Sequence, residues 1–161
     1  MDIERLLSEM IEYYKGDPQR IGHFIKVHGF SKLIGVSEGL DTAALEILET
    51  AAVVHDIGIK AAEEKYGSAA GKYQEKEGPP IARELLARLG YPENVTDRVC
   101  YLVGRHHTYD TIDGLDYQIL VEADFLVNIF EDGLSKDTVQ AVYSKIFRTA
   151  AGKRICRKMY E

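Results

Sequence analysis

Apolar residues recur at intervals of three and four along most of the chain, and no stretch alternates apolar with polar residues for long. The first segment shows this spacing at Ile3, Leu6, Leu7, Met10 and Ile11. Such a period places the apolar side chains on one face of a helix. Because a half-buried strand requires alternation with a period of two, the sequence predicts an all-α fold.

Several polar residues stand where helices are expected to begin. Asp17 followed by Pro18 is typical of a helix N-cap and the first helical position. Asp41 and Ser135 precede apolar helical patterns, and we expect each of them to cap a helix.

Two regions have weaker patterns. Residues 57–79 contain several glycines and a polar run, so we expect a long and partly irregular segment there, with Pro79 and Pro80 opening the next helix. The tail, residues 148–161, is basic and only weakly periodic.

Length and composition narrow the class of protein. A chain of 161 residues fits a single domain, and its net charge of −6 argues against nucleic acid as the main partner. No segment approaches the ~20 apolar residues that span a bilayer, so we expect no membrane partner. Cys100 and Cys156 lie far apart, which is typical of reduced thiols in a cytoplasmic protein. Exposed apolar residues in the first and last helices would permit a homodimer.

His55 and Asp56 follow the apolar run from Ala51 to Val54, which indicates that the pair lies at the buried end of a helix. A buried carboxylate is costly unless it is paired or bound to a cation. An adjacent imidazole therefore points to a metal site, although a capped helix end with a satisfied histidine would give the same dipeptide.

Other helices supply further candidate ligands. His23 lies near the apolar side of the second helix, and Asp124 lies inside a strongly apolar one. Two imidazoles and two carboxylates suit a divalent transition metal such as Mn, Fe, Co, Ni or Zn. His106 and His107 end a later helix, where they are candidates for a weak second metal, for binding a substrate phosphate, or for favourable placement at a helix C-terminus.

The ordered set of Arg20 and His23, then His55 and Asp56, then Asp124 resembles the HD-domain metal-dependent phosphohydrolases. The resemblance covers most of the chain and implies a single-domain helical bundle over 1–161. Its metal-binding core would be 17–130, with flanking helices at 1–16 and 135–161. It also implies that His23, His55, Asp56 and Asp124 are the metal ligands.

The sequence departs from some branches of that family. Ile59 stands where a nucleotidase branch and the alarmone hydrolases carry Glu, and Gln74 stands where two-metal relatives carry a further His. One metal site is therefore expected, and a second is left open. Glu75 and Glu122 are candidates for moving a proton, and Glu122 and Asn128 for orienting metal ligands.

The expected activity is that of a phosphomonoesterase or phosphodiesterase acting on a small phosphorylated substrate, with nucleotides as the main class. A metal ion lowers the pKa of a bound water and polarises a phosphoryl oxygen. Asp56 and Lys60 are the expected catalytic residues, and Arg20, Lys60, His106 and His107 are expected to bind the substrate. Two alternatives are a metal-stabilised nucleotide-binding or regulatory module without turnover, and an iron oxygenase, which would need two irons.

Overall fold

The computed structural model describes residues 2–161, and this part of the chain contains nine helices and no strand. In chain order the helices are α1 (Ile3–Tyr13), α2 (Pro18–Ser37), α3 (Thr42–Val54), α4 (Ile59–Tyr66), α5 (Gly71–Arg88), α6 (Glu93–Val103), α7 (Leu115–Glu131), α8 (Lys136–Ile146) and α9 (Ala150–Tyr160). The prediction of an all-α fold is confirmed. No helix in the described part is both long and apolar enough to cross a membrane.

The predicted helix starts are found at the expected residues. Asp17, Asp41 and Ser135 are the N-caps of α2, α3 and α8, and each side chain accepts a hydrogen bond from the backbone N–H three residues later. Pro18 occupies the first position of α2. A short polar side chain at this position satisfies a backbone donor that has no partner within the helix.

The expectation of a long, partly irregular segment over residues 57–79 is wrong in its extent, because non-helical backbone is confined to residues 57–58 and 67–70. Residues in this range form α4 and the first half of α5, and α5 continues through both Pro79 and Pro80 instead of beginning there. A proline inside a helix removes a backbone hydrogen bond and costs about 3 kcal/mol. Tertiary packing offsets this cost, because α5 packs against α4 and α6 and buries Gln74, Gly78, Ala82, Leu85 and Leu86.

Two glycines allow α5 to lie directly on the turn that follows His55 and Asp56. A Cβ atom added at Gly58 would lie 2.6 Å from the carbonyl oxygen of Gln74 and 2.7 Å from the backbone nitrogen of Gly78. Backbone therefore meets backbone here, and any side chain at Gly58 would push the two elements apart. This contact sets the distance between α5 and the turn that contains Gly58.

The central layer of the bundle consists of α2, α3 and α7. Each of these helices packs against the other two, and α3 also contacts α1 and α6. Their shared core includes Phe24, Leu48 and Leu120, all of which are buried. Because His23 lies on α2, His55 at the end of α3 and Asp124 on α7, the same packing brings the three side chains toward one another.

The basic tail contains a helix that lies within the flanking range 135–161 implied by the family resemblance, although its periodicity is weak. α8 ends at Ile146 and α9 begins at Ala150, with Thr149 as its N-cap. Buried Glu122 on α7 accepts hydrogen bonds from the backbone N–H groups of Arg148 and Thr149 at 2.9 and 3.0 Å and from the Thr149 hydroxyl at 2.6 Å. Glu122 therefore anchors the start of α9, whereas the sequence suggested a role at the metal site.

Candidate metal centre

Four buried side chains from α2, α7 and the end of α3 converge on one point. His23 Nε2 lies 3.2 Å from His55 Nε2, 3.1 Å from Asp56 Oδ2 and 3.1 Å from Asp124 Oδ1. His55 Nε2 lies 3.4 Å from each of the same two carboxylate oxygens. The structure thus brings together all four residues that the sequence singled out as ligands.

The outer nitrogens of the two histidines are held by oxygen acceptors. His55 Nδ1 donates to the carbonyl oxygen of Ala52 at 2.7 Å, and His23 Nδ1 donates to Glu131 Oε1 at 2.5 Å. Because these oxygens can only accept, the neutral form of each ring carries its proton on Nδ1 and presents the Nε2 lone pair to the cluster. The two Nε2 atoms are 3.2 Å apart, and their lone pairs repel each other unless a cation or a proton lies between them.

The electrostatics of the cluster show what balances it when no cation is present. Burial lowers the pKa of His23, but hydrogen bonds with Asp124 and Asp56 outweigh burial and raise the pKa to about 10. Burial also opposes protonation of His55, yet the Asp56 charge helps to raise the pKa of His55 well above its usual value. A divalent ion would replace these protons, since imidazole and carboxylate ligands bind metals in their deprotonated forms.

The pKa values of the two carboxyl groups move in the opposite direction. Burial raises the pKa of Asp56, but the charge of His55 and hydrogen bonds with the histidines hold it well below its usual range. Burial likewise opposes ionisation of Asp124, and hydrogen bonds with His23 and His55 lower its pKa. Both carboxylates are therefore ionised at neutral pH, which is the form that binds a metal. The donor set fits a divalent cation.

Asp56 also belongs to a second group of candidate ligands. Its Oδ2 faces His23 and His55, while its Oδ1 lies 3.4 Å from His106 Nε2. His106 donates its Nδ1 proton to the carbonyl oxygen of Val103, and its buried Nε2 has no hydrogen-bond partner among the described residues. Asp56, His106 and His107 each place one possible ligand atom within 4.8 Å of the others. Asp56 could thus bridge two cation positions.

Gln74 and Glu75 are engaged with the chain around His107. Gln74 Oε1 lies 3.1 Å from His107 Nε2, and Gln74 Nε2 donates to the carbonyl oxygen of Ala69. Glu75 accepts hydrogen bonds from the backbone N–H of His107 and from the Thr108 hydroxyl. Glu75 therefore orders the loop after α6, and the structure gives it no contact with the four converging side chains.

A cavity of about 140 Å³ opens onto the cluster. Arg20, His107 and Gln74 line it together with His23, Asp56 and Asp124. His106 is buried and does not line this cavity, so the structure does not support its predicted contact with substrate. Burial lowers the pKa of His107 to about 4, and this ring is therefore neutral at pH 7 and unsuited to the role of a cationic phosphate donor.

Lys60, the other predicted catalytic and substrate-binding residue, lies outside the cavity of the cluster. It is exposed near the start of α4, and its Nζ donates to the carbonyl oxygen of Tyr13. It lines a neighbouring cavity that shares Arg20 and Ile59 with the first. A direct role for Lys60 in the chemistry therefore lacks support in the geometry.

Glu131 is a functional candidate that the sequence reasoning missed. It follows Asp124 by seven residues, which is two turns of α7, so the two side chains lie on the same face. That spacing was the available signal. Asn128, one turn after Asp124, donates from Nδ2 to Asp124 Oδ1 at 3.1 Å. Glu131 and Asn128 thus orient one histidine and one carboxylate of the cluster.

Comparison with known proteins agrees with this architecture. The structure is similar to the crystal structure of a predicted HD superfamily hydrolase from an uncultured Thermotogales bacterium, with a TM-score of 0.69 and 24% sequence identity over 98% of this chain and 84% of that chain. The sequence has no significant match among curated proteins. The family model for the HD domain matches residues 20–145. Since this match covers most of the chain, the protein belongs to the HD-domain family.

Proposed function

We propose that this protein is a metal-dependent phosphohydrolase that acts on a small phosphorylated molecule, with nucleotides as the expected class. The observation that carries the proposal is the convergence of His23, His55, Asp56 and Asp124 at the base of an open cavity. The similar Thermotogales protein is described as a predicted hydrolase, which supports the same reaction type.

The reaction adds water across a P–O bond. The water oxygen bonds to phosphorus, the bond to the leaving oxygen breaks, and a proton from the water passes to the leaving oxygen. A divalent ion held by the four residues would supply an activated water and polarise the phosphoryl group. Mn, Fe, Co, Ni and Zn all suit this mixture of nitrogen and oxygen ligands.

Arg20 is the cation best placed to hold the phosphoryl group. It lines the cavity beside His23, and it forms no ion pair within residues 2–161. A free guanidinium donates parallel hydrogen bonds to two phosphoryl oxygens and stabilises the charge that develops on them. Glu131 and Asn128 hold His23 and Asp124 in the orientation that binding requires.

We further propose a second, weaker cation position at Asp56, His106 and His107. The buried Nε2 of His106 favours it, because this atom lies 3.4 Å from Asp56 Oδ1 without a well-formed hydrogen bond, and a cation would bind both atoms. At the position of Gln74 an imidazole would provide a third nitrogen ligand and strengthen metal binding. The amide is a weaker ligand, and its Oε1 already forms a hydrogen bond with His107. We therefore expect one tightly bound metal and one that dissociates readily.

A screen of metal-loaded protein against nucleotide monoesters, phosphodiesters and pyrophosphates tests the proposal. Each of the five metals is supplied in turn, and released phosphate, nucleoside and nucleotide are quantified. We expect turnover with at least one combination and its loss in Asp56→Asn. If no combination is turned over while the protein remains folded and metal-loaded, the proposal is wrong.

The second candidate is a metal-stabilised nucleotide-binding or regulatory module without turnover. Ile59 and Gln74, which replace an acid and an imidazole found in some relatives, favour this alternative. Calorimetry with the same nucleotides separates the two candidates. Tight binding together with no product over many hours would support the module and exclude the enzyme.

A further inference from the structure

A second cavity adjoins the metal centre on the side of α1, and we refer to it as the α1 pocket. Its volume is about 230 Å³, and it shares Arg20 and Ile59 with the cavity above the metal ligands. The two cavities are therefore neighbours, and the Arg20 side chain is available to a ligand in either of them.

The α1 pocket carries an excess of positive charge in a chain whose net charge is −6. Lys15, Arg20 and Lys60 line it, against the two acids Asp17 and Glu63. Asp17 keeps its charge while its Oδ1 caps α2 through the backbone N–H of Arg20, so three cations face two anions. The remaining balance favours an anionic ligand over a neutral or cationic one.

The Lys60 ammonium is held at this pocket without a carboxylate partner. Its Nζ lies 3.3 Å from the carbonyl oxygen of Tyr13 and 5.1 Å from the centre of the Tyr13 ring. Within residues 2–161 neither Lys60 nor Arg20 forms an ion pair. Lys15 has one partner, exposed Glu12 at 4.0 Å, and an exposed pair of this kind contributes little. All three cations can therefore donate to a ligand.

Two tyrosine hydroxyls tie the α1 pocket to the metal centre. Buried Tyr14 donates to the carbonyl oxygen of Asp56 at 2.7 Å, and Tyr13 donates to that of Ile57 at 3.2 Å. The end of α1 is thus bonded to the turn that carries a metal ligand. These bonds hold the backbone at the end of α1 at a set position relative to Asp56, and the exposed side chains of Lys15 and Lys60 reach the pocket from that frame.

Much of the α1 pocket lies outside the part of the chain that matches the HD domain. Tyr13, Lys15 and Asp17 all precede residue 20, where that match begins. The metal ligands, in contrast, all fall inside it. Of the three cations in the pocket, Lys15 precedes the match and Arg20 and Lys60 fall inside it, so the pocket joins the shared core to the helix before it.

We propose that the α1 pocket binds a second phosphoryl group, through Lys60, Arg20 and Lys15, while the reacting phosphoryl group lies at the metal centre. Preferred substrates then carry at least two linked phosphates, as in nucleoside diphosphates or pyrophosphate esters. This proposal rests on the proposed function, and it makes the pocket a determinant of specificity for that reaction.

Calorimetric titration of the metal-loaded protein with pyrophosphate and with orthophosphate tests the proposal. It measures binding affinity and does not require hydrolysis of a nucleotide. Both ligands are supplied with the metal that the protein contains, so that pyrophosphate does not strip the site. We expect pyrophosphate to bind at least about tenfold more tightly than orthophosphate, which corresponds to one additional charge-assisted contact. Lys60→Gln should reduce this preference about tenfold and leave orthophosphate affinity unchanged.

The matched control is Lys145→Gln, which removes an exposed lysine on α8 that lines neither cavity. It should retain the wild-type preference. Equal affinities for the two ligands in the wild type, or a full preference retained in Lys60→Gln, would overturn the proposal. Lys60-dependent pyrophosphate binding without hydrolysis of any substrate would support the binding role of the α1 pocket and refute the proposed hydrolase activity. Hydrolysis without dependence on Lys60 would support the hydrolase activity and refute the role of the pocket.

Discussion

His23 and His55 point their Nε2 atoms at each other across 3.2 Å, although His23 lies on α2 and His55 caps the end of α3, 32 residues later in the chain. Each ring is locked by a hydrogen bond from its Nδ1, to Glu131 and to Ala52 respectively. The fold thus forces two lone pairs toward a single point that two carboxylates also face. A cation at that point relieves the repulsion, and in its absence protons must do so.

The first prediction concerns pH. In the metal-free protein the pKa of His23 is raised from 6.5 to about 10, so the unfolded chain releases this proton at lower pH than the folded one. Protonated His23 therefore contributes full stability below pH 6.5, and the contribution is lost as the pH rises toward 10. The melting temperature of the metal-free protein should fall over this interval.

Metal binding should reverse that trend, because the metal competes with the same protons. The increase in melting temperature on adding metal should grow from pH 6.5 toward pH 10. Thermal melts with and without chelator measure both curves, and His23→Gln should flatten the metal-free curve. A metal-free protein whose melting temperature rises across the interval would contradict this account.

Asp124→Ala should abolish tight metal binding. The substitution removes one of the two carboxylates and leaves His23 and His55 without the oxygen that lies 3.1 and 3.4 Å from them. Metal content after dialysis is the measurement, and the variant should also lose the stabilisation that metal gives the wild type. Asp110→Asn, at an exposed position in the loop before α7, is the control. Unchanged metal content in Asp124→Ala would refute the ligand assignment.

Glu131→Gln tests the residue that the sequence did not reveal. In the wild type, the hydrogen bond to Glu131 orients His23 and raises the basicity of its ring. The amide retains the shape of the side chain but weakens this hydrogen bond. We expect the metal dissociation constant to increase about 10- to 100-fold, as measured by competition with a chelating dye. Glu84→Gln, an exposed change on α5, should leave the constant unchanged. Equal constants in the two variants would show that Glu131 has no orienting role.

Gly58→Ala should destabilise the fold by about 1–3 kcal/mol, measured by urea unfolding. The added Cβ would meet the backbone of Gln74 and Gly78 at less than 3 Å, and neither can move without displacing α5. Gly29→Ala is the matched control, since a Cβ on this exposed helical residue would have no neighbour within 4 Å. It should stabilise the protein by about 0.5–1 kcal/mol. Equal effects of the two changes would exclude the close-contact explanation.

The sequence by itself determined the helical class, the caps at Asp17, Asp41 and Ser135, and the candidate ligands His23, His55, Asp56 and Asp124. These features depend on local patterns, because a helical period and a capping side chain act over a few residues. The prediction for residues 57–79 failed because it also rested on local patterns, whereas the structure there depends on tertiary packing. Local propensity disfavours a helix through Pro79 and Pro80, and α5 forms because its burial against α4 and α6 outweighs that cost.

The tertiary structure alone decided how the candidate residues are used. Packing of α2, α3 and α7 brings His23 and His55 within 3.4 Å of each other and of an oxygen from each carboxylate. It gives His23 its partner Glu131 and places Asp56 between two groups of imidazoles. It also moves Glu122 to the anchor of α9 and Lys60 to the α1 pocket. Such roles depend on distances between residues far apart in the chain, and a sequence pattern contains the residue types but not those distances.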